Sequence, residues 1–249
     1  MKIIAVIPAR MASSRFPGKP LVPILGLPMI EHVRRRVALS KLFSDVVVAT
    51  CDKEIENVVI SSGGKAIMTS KKHERCTDRI AEAAEKLEAE IIVLVQGDEP
   101  LVMPDMFNSL IEPLVEYNHL YCVNMMGEIA NEKELYNQNI VKVVFDVNEN
   151  AMFFSREPIP SSKLYSSSFT KYKQLGIIAF RKDFLLKFTK LSPTPMEIIE
   201  SIDMLRILEN GFSVRMVKSD IFIVGVDTPE DLKRVEKIME HDPIFTKYS

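Results

Sequence analysis

Lys2-Ile-Ile-Ala-Val-Ile7 runs directly into Pro8-Ala-Arg-Met-Ala-Ser-Ser-Arg-Phe-Pro-Gly-Lys-Pro20, and this junction decides the fold. The first segment is an apolar run of strand length. The second places Arg10, Arg15 and Lys19 among small residues. A loop at the carboxyl end of a parallel strand is where open α/β sheets bind their ligands, and three cations there suit a polyphosphate. Gly18 lets the backbone approach a ligand closely, while Ser13, Ser14 and backbone N–H groups can donate to phosphate oxygens. A solvated surface loop is the other reading of the same charges. The chain contains neither Gly-x-x-x-x-Gly-Lys-Ser/Thr nor Gly-x-Gly-x-x-Gly, which argues against a P-loop ATPase or a dinucleotide dehydrogenase.

Outward from the junction, strand-length apolar runs at Lys2–Ile7, Asp45–Ala49, Lys65–Met68 and Ile91–Val95 alternate with helical patterns near Met29–Ser40, Glu54–Ser62, Asp78–Glu88 and Pro104–Glu116. Runs that are apolar on both faces belong to central strands of a parallel sheet covered by helices. After about residue 120 the rhythm changes to strands at Tyr121–Met126, Ile140–Asp146, Met152–Ser155 and Tyr172–Phe180, an antiparallel insertion. Helices near Lys182–Thr189 and Pro195–Glu209, strands at Ser213–Val217 and Phe222–Val224, and a helix from Pro229 to about His241 complete the pattern. The expected fold class is therefore α/β, a single domain over residues 1–249 with a mostly parallel sheet and a small antiparallel insertion at about 120–181.

Composition narrows the function. A chain of 249 residues at 47% hydrophobic and 27% charged buries a substantial core, and its net charge of −2 argues against a nucleic-acid binder. The apolar run at the start is too short for a signal-peptide core or a membrane span, so a cytoplasmic protein without membrane contact is expected. Cys51, Cys76 and Cys122 are odd in number and lack Cys-x-x-Cys spacing, which suits free thiols in a reducing compartment and offers no zinc site.

Three further stretches carry chemistry. Ile91-Ile-Val-Leu-Val-Gln-Gly-Asp-Glu-Pro100 is a buried strand ending in a polar cluster, where Asp98 could hold Mg²⁺ or, with Gly97 bending the chain in a turn, merely cap a short helix that follows. In Val224-Gly-Val-Asp-Thr-Pro-Glu-Asp231, Thr228 and Asp231 form a capping box with Pro229 in the first turn. Asp227, just outside the cap, is a candidate second metal ligand. His73-Glu-Arg-Cys-Thr-Asp-Arg79 reads as an ordinary helix start, yet at the sheet's ligand edge its N–H groups and Arg79 could reach an anionic or sugar substrate. His32, His119 and His241 have no ligand spacing and read as structural.

Pro8-Ala-Arg, Ser14-Arg-x-Pro-Gly-Lys-Pro20, Thr69-Ser70, Thr77-Asp-Arg79, Val95-Gln-Gly-Asp-Glu-Pro100, Val141-Lys-Val-Val, Phe154-Ser-Arg-x-Pro-Ile-Pro160, Leu175-Gly-Ile and Gly225-Val-Asp-Thr-Pro229 resemble, nearly end to end and in order, the 3-deoxy-manno-octulosonate (Kdo) cytidylyltransferases, or CMP-Kdo synthetases. The resemblance implies a Rossmann-like nucleotide-diphospho-sugar transferase fold, CTP and a 2-keto-3-deoxy sugar acid as substrates, Mg²⁺, pyrophosphate as leaving group, a homodimer built partly on the insertion, and a place in lipopolysaccharide or other envelope glycan biosynthesis. It also implies roles. Arg10, Arg15 and Lys19 would lie on the triphosphate, Lys19 offsetting charge on pyrophosphate. Asp98 and Asp227 would hold the metal, with Asp98 counted beside the three cations as catalytic. Pro8, Ala9, Ser14, Thr69, Ser70 and Gln96 would frame the nucleotide, while Arg75, Arg79, Gln174 and Asp203 would meet the acceptor.

Departures cluster where the resemblance puts the sugar. Relatives usually carry Ser-Gly where this chain has Arg75-Cys76, His at Gln174, Gln at Met204 and Trp at Ser161. A pocket so altered presents different charge and hydrogen bonding, from which a different acceptor is expected: an amino or deoxy variant of Kdo, another ulosonic acid or another anion. A metal-dependent glycosyltransferase and a non-catalytic nucleotide-binding module are the other classes; the Arg10, Arg15, Lys19 cluster speaks against the first, and Asp98 with Asp227 against the second.

Overall fold

The computed structural model describes residues 1–12, 16–161, 169–221 and 224–249. Its contacts divide the chain into two units, residues 1–108 with 223–249, and residues 109–222. In the first unit β1 (Ile3–Ala9) is followed by a 3-10 turn at Lys19–Leu21, a small hairpin of β2 (Pro23–Ile24) and β3 (Leu27–Pro28), and α1 (Met29–Ala38). Strand and helix then alternate through β4 (Asp45–Thr50), α2 (Lys53–Ser61), β5 (Lys65–Met68), α3 (Cys76–Glu85), β6 (Ile91–Val95) and α4 (Met106–Glu116), within which the boundary between units falls.

The expected parallel βαβ series is what forms. β1 pairs in parallel with β4 on one side and β6 on the other, and β4 pairs in parallel with β5. All of β1 is buried, as a strand flanked by two others must be when helices cover its faces. Helix α1 packs on β1 and β4, α2 on β4 and β5, and α3 on β1, β4 and β6. Because the strands are parallel, the carboxyl ends of β1, β4, β5 and β6 share one edge, and the loops that follow them gather there.

The second unit holds β7 (Cys122–Glu128), α5 (Glu132–Leu135), β8 (Lys142–Phe145), β9 (Ala151–Ser155), β10 (Tyr172–Arg181), α6 (Lys182–Phe188), α7 (Pro195–Glu200), α8 (Met204–Glu209) and β11 (Arg215–Lys218). Here pairing is mostly antiparallel, β7 with β10, β10 with β8 and β8 with β9, while β11 runs parallel to β7. The β7–β10 ladder shifts register between Gln174 and Ile178. Asn124, fully buried, repairs the gap by donating Nδ2 to Leu175 O at 2.9 Å and Ile177 O at 3.1 Å. The single helix expected over Pro195–Glu209 is two: Ser201 adopts left-handed backbone at φ 55 and ends α7 before α8 begins. Apolar periodicity continues through Ile202, so the sequence pattern does not register the break.

Helix α9 (Pro229–Met239) belongs to the first unit. Val224, Val226, Val235 and Met239 join Ile24, Met29 and Leu101 in one buried cluster, against which Phe16, Leu232 and Phe245 pack. The strand expected at Phe222–Val224 falls partly outside the described residues, and Val224 itself is not in a strand. Among the described residues no helix is long and apolar enough to cross a membrane, and the cysteines Cys51, Cys76 and Cys122 form no disulfide.

Candidate functional site

Glycine permits the approach on which the site depends. A Cβ at Gly97, two residues beyond β6, would lie 2.8 Å from Pro8 O and 3.3 Å from Ile30 Cδ1, so only glycine lets this turn sit against the end of β1. Asp98 follows at once, and its carbonyl accepts from Val226 N at 2.8 Å. That bond sets Asp227 beside Asp98 across a long sequence separation. The expected capping box then opens α9: Asp231 N donates to Thr228 Oγ1 at 3.2 Å, and Thr228 N to Asp231 Oδ2 at 2.9 Å. Asp231 is thereby committed to the helix, whereas Asp227 is aimed elsewhere.

Its target is Lys19. Gly18, with φ 73, turns the chain into the 3-10 turn, and the Lys19 side chain runs inward until the residue is 8% exposed. Nζ carries three protons and meets three acceptors: Asp98 Oδ2 at 2.6 Å, Val226 O at 2.7 Å and Asp227 Oδ1 at 3.3 Å. Both carboxylates keep access to solvent, with side chains 34% and 40% exposed. Two carboxylates and a carbonyl around one cationic atom are hard oxygen donors of the kind Mg²⁺ prefers. Among the described residues no group of three or more His, Cys, Asp or Glu is placed to hold a metal, so a cation on Asp98 and Asp227 would complete its shell with oxygens from a ligand or water.

Lys19, Asp98 and Asp227 stand on the wall of a cavity of about 300 Å³. Pro8, Ala9 and Arg10 from the end of β1 line it, as do Gln96 after β6 and Arg75, Cys76 and Arg79 from the start of α3. Its charged lining is mixed, with Arg10, Lys19, Arg75 and Arg79 facing Glu74, Asp98 and Asp227. Cys76 Sγ donates to Gln96 Oε1 at 3.4 Å, which fixes one end of that amide.

The wall after β5 is braced from α3. Arg79, 3% exposed, donates through Nη1 to Thr69 Oγ1 at 2.6 Å and Ser70 O at 3.3 Å, and through Nη2 to His73 O at 3.3 Å. Thr69 Oγ1 in turn donates to Thr50 O at 3.1 Å, joining the ends of β4 and β5. One helical turn on, Glu82 accepts from Ser70 N at 2.8 Å and meets His73 Nε2 at 2.5 Å. The Ser70 amide, with His73 adding to it, holds the Glu82 carboxyl below the usual range.

The structure therefore brings Pro8, Ala9, Arg10, Lys19, Arg75, Arg79, Gln96, Asp98 and Asp227 to one cavity. Thr69 and Ser70 support its wall through Arg79 and Glu82. Ser14 and Arg15 lie outside the described residues. Gln174 and Asp203 belong to the second unit, where Gln174 Nε2 donates to Asn124 Oδ1 at 2.7 Å and Asp203 precedes α8. His73 and Glu74 also line the cavity, although the segment 73–79 carries in its sequence the ordinary signals of a helix start.

Comparison with known proteins adds to this geometry. The family profile described as cytidylyltransferase matches residues 4–221. A 3-deoxy-manno-octulosonate cytidylyltransferase of Geobacter metallireducens is 45% identical, the match covering 96% of this chain and 98% of that protein. One of Fusobacterium nucleatum is 42% identical, covering 98% and 99%. Among solved structures, that of CMP:2-keto-3-deoxy-manno-octonic acid synthetase complexed with CTP matches with a TM-score of 0.90 at 37% identity, over 96% of this chain and 99% of that one.

Proposed function

This chain belongs to the 3-deoxy-manno-octulosonate cytidylyltransferase family of cytidylyltransferases, and from that premise we propose that it transfers CMP from CTP to the anomeric hydroxyl of Kdo, releasing pyrophosphate. The observation that carries the reading is the convergence of Lys19, Asp98 and Asp227 on the wall of a cavity that Arg10 and Arg75 also line. A triphosphate needs such cations, and in-line displacement at its α-phosphorus needs chiefly positioning and neutralisation of developing charge. Arg10 meets phosphate oxygens, and Lys19 offsets charge on the departing pyrophosphate. Arg15 takes a further phosphate contact, on the resemblance of Ser14-Arg-x-Pro-Gly-Lys-Pro20 to the family. Pro8, Ala9 and Gln96 frame the nucleoside, with Thr69 and Ser70 shaping the wall that receives it.

Asp98 and Asp227 would hold Mg²⁺, a role supported by their oxygens already surrounding a cationic atom. When bound, that ion would supply neutralisation of phosphate charge and make the attacking hydroxyl easier to deprotonate. The acceptor is placed by Arg75, with Arg79 holding the wall beside it. An altered acceptor is not favoured, since this chain, with its departures at Arg75, Cys76, Ser161, Gln174 and Met204, is still 45% and 42% identical over nearly its whole length to relatives named for 3-deoxy-manno-octulosonate. A glycosyltransferase and a non-catalytic module are not favoured on the same ground.

The enzyme acts in the cytoplasm, where CTP is available, and its product feeds envelope glycan assembly such as lipopolysaccharide biosynthesis. It works as a homodimer, a reading supported by Met152 on β9 and Ile198 and Ile199 on α7, large apolar side chains left exposed on the second unit. Pyrophosphate release measured with CTP, Mg²⁺ and each of Kdo, 8-amino-Kdo and a sialic-type acid tests the acceptor. Fastest release with Kdo is expected; release with another acid alone would overturn the assignment.

A further inference from the structure

Asp52 follows β4 and occupies the N-cap position of α2, where an aspartate ordinarily accepts from the first free N–H groups of its helix. It does not do so here: its side chain makes no capping bond. Instead Asp52 Oδ2 accepts from Met11 N at 2.7 Å. Met11 directly follows Arg10, and Met11 O accepts from Gly18 N at 3.1 Å. The peptide groups of Met11 therefore join Arg10, at the end of β1, to Asp52 on one side and to Gly18, ahead of Lys19, on the other.

The register explains the diversion. β1 and β4 are paired in parallel up to Ala9 opposite Thr50, so continuing the same register puts Met11 opposite Asp52. The strands part there, and the carboxylate supplies one further bond to the backbone that the ladder no longer reaches. A carboxylate is an unfavourable group to keep beside a loop meant for a triphosphate, because its charge repels the ligand. Asp52 nonetheless points at that loop, and the cost is accepted in return for a charge-assisted bond to its first amide.

We propose that Asp52 is a positioning residue for CTP binding, fixing the backbone at Arg10 and Met11, where the chain leaves β1, through the Met11 amide. The inference rests on the function proposed above for the same site. Its contrast with bland alternatives lies in sign. If Asp52 acted only by its charge, Asp52→Asn would tighten CTP; if it served α2, Asp52→Ser would be neutral, serine being a good N-cap. A positioning role requires both to weaken CTP.

The experiment measures CTP affinity by calorimetry, kcat and KM by pyrophosphate release with Kdo, and hydrogen exchange of the Met11 amide, in wild type, D52N, D52S and D52A. For D52S and D52A, Kd and KM for CTP should rise about tenfold, the loss of one hydrogen bond to a charged group, with kcat and the KM for Kdo little changed. D52N, whose amide oxygen still accepts without charge assistance, should show a rise of about threefold. Met11 exchange should accelerate in D52S and D52A and less in D52N, while thermal midpoints of D52S and wild type agree. Unchanged or tighter CTP binding in D52S and D52A would overturn the proposal, as would a Met11 amide equally protected in all four proteins. Because exchange needs no turnover, a wild type inactive with CTP and Kdo would sink the functional reading while leaving the Asp52 contact to be judged by Met11 protection.

Discussion

Replacing Lys19 with methionine separates what this residue does for the fold from what it does for the ligand. Methionine keeps the length and apolar stem of the side chain and removes the ammonium. The variant loses two ionic contacts, at 2.6 Å and 3.3 Å, and a bond to Val226 O at 2.7 Å. Hydrogen bonds to charged groups contribute about 1.5–3 kcal/mol each. Solvent reaching Asp98 and Asp227 screens the pair, so the three contacts together are taken as about 3 kcal/mol rather than their sum. For a chain of this size that loss lowers the thermal midpoint by about 6–12 °C.

The variant also leaves two carboxylates aimed at a point with no cation, which Mg²⁺ should fill. Calorimetric or fluorimetric melting in chelator and in excess magnesium should therefore show a larger magnesium-dependent rise for K19M than for wild type, since a ligand bound only by the folded state stabilises it by mass action. Turnover by K19M should fall by about 10²–10³-fold, as when one donor to developing charge is removed. Equal midpoints in chelator, or equal magnesium shifts in both proteins, would refute the reasoning that Lys19 holds the place of a cation between Asp98 and Asp227.

Asp98→Asn and Asp227→Asn should each nearly abolish pyrophosphate release while far-ultraviolet circular dichroism stays native; near-normal rates at ordinary magnesium would remove the metal assignment. Gly97→Ala places a methyl group 2.8 Å from Pro8 O, and urea titration should show a loss of about 1–3 kcal/mol, the usual cost of overpacking, together with weakened CTP binding. His32 is buried with its pKa lowered, chiefly by desolvation, while Nε2 faces Ile24 O at 2.8 Å and Nδ1 the Tyr248 hydroxyl at 2.8 Å. Because the unfolded chain takes up the proton first, the stability His32 contributes is complete above its unfolded value of 6.5 and declines as pH falls toward the depressed folded value. The thermal midpoint should thus drop on acidification below that value, and less steeply in His32→Asn; identical slopes would contradict this.

The parallel half of the fold was legible because its signals are local: β1, β4, β5 and β6 are short apolar runs, and Thr228 with Asp231 announces α9 within four residues. Less legible features depend on distance along the chain. Lys19 bonds to partners 79 and 208 residues away, and sequence alone offered it only as a cation in a loop. Asp52 has the local signature of an N-cap, and only the β1–β4 register shows where its side chain goes. Arg79 reads as a residue reaching for substrate, yet its guanidinium is also spent on Thr69, Ser70 and His73. Ser201 breaks a helix by its own backbone conformation, which no apolar period records. Each is a tertiary choice among locally acceptable options.

The central claim is nucleotidyl transfer at the α-phosphorus of CTP, and phosphorus NMR of the protein with CTP, Kdo and Mg²⁺ observes that bond change directly. The account expects the CTP resonances to be replaced by a sugar phosphodiester and pyrophosphate in equal amounts, and only when Kdo is present. CTP left intact with Kdo, or converted to CDP and inorganic phosphate or to free CMP, would contradict it.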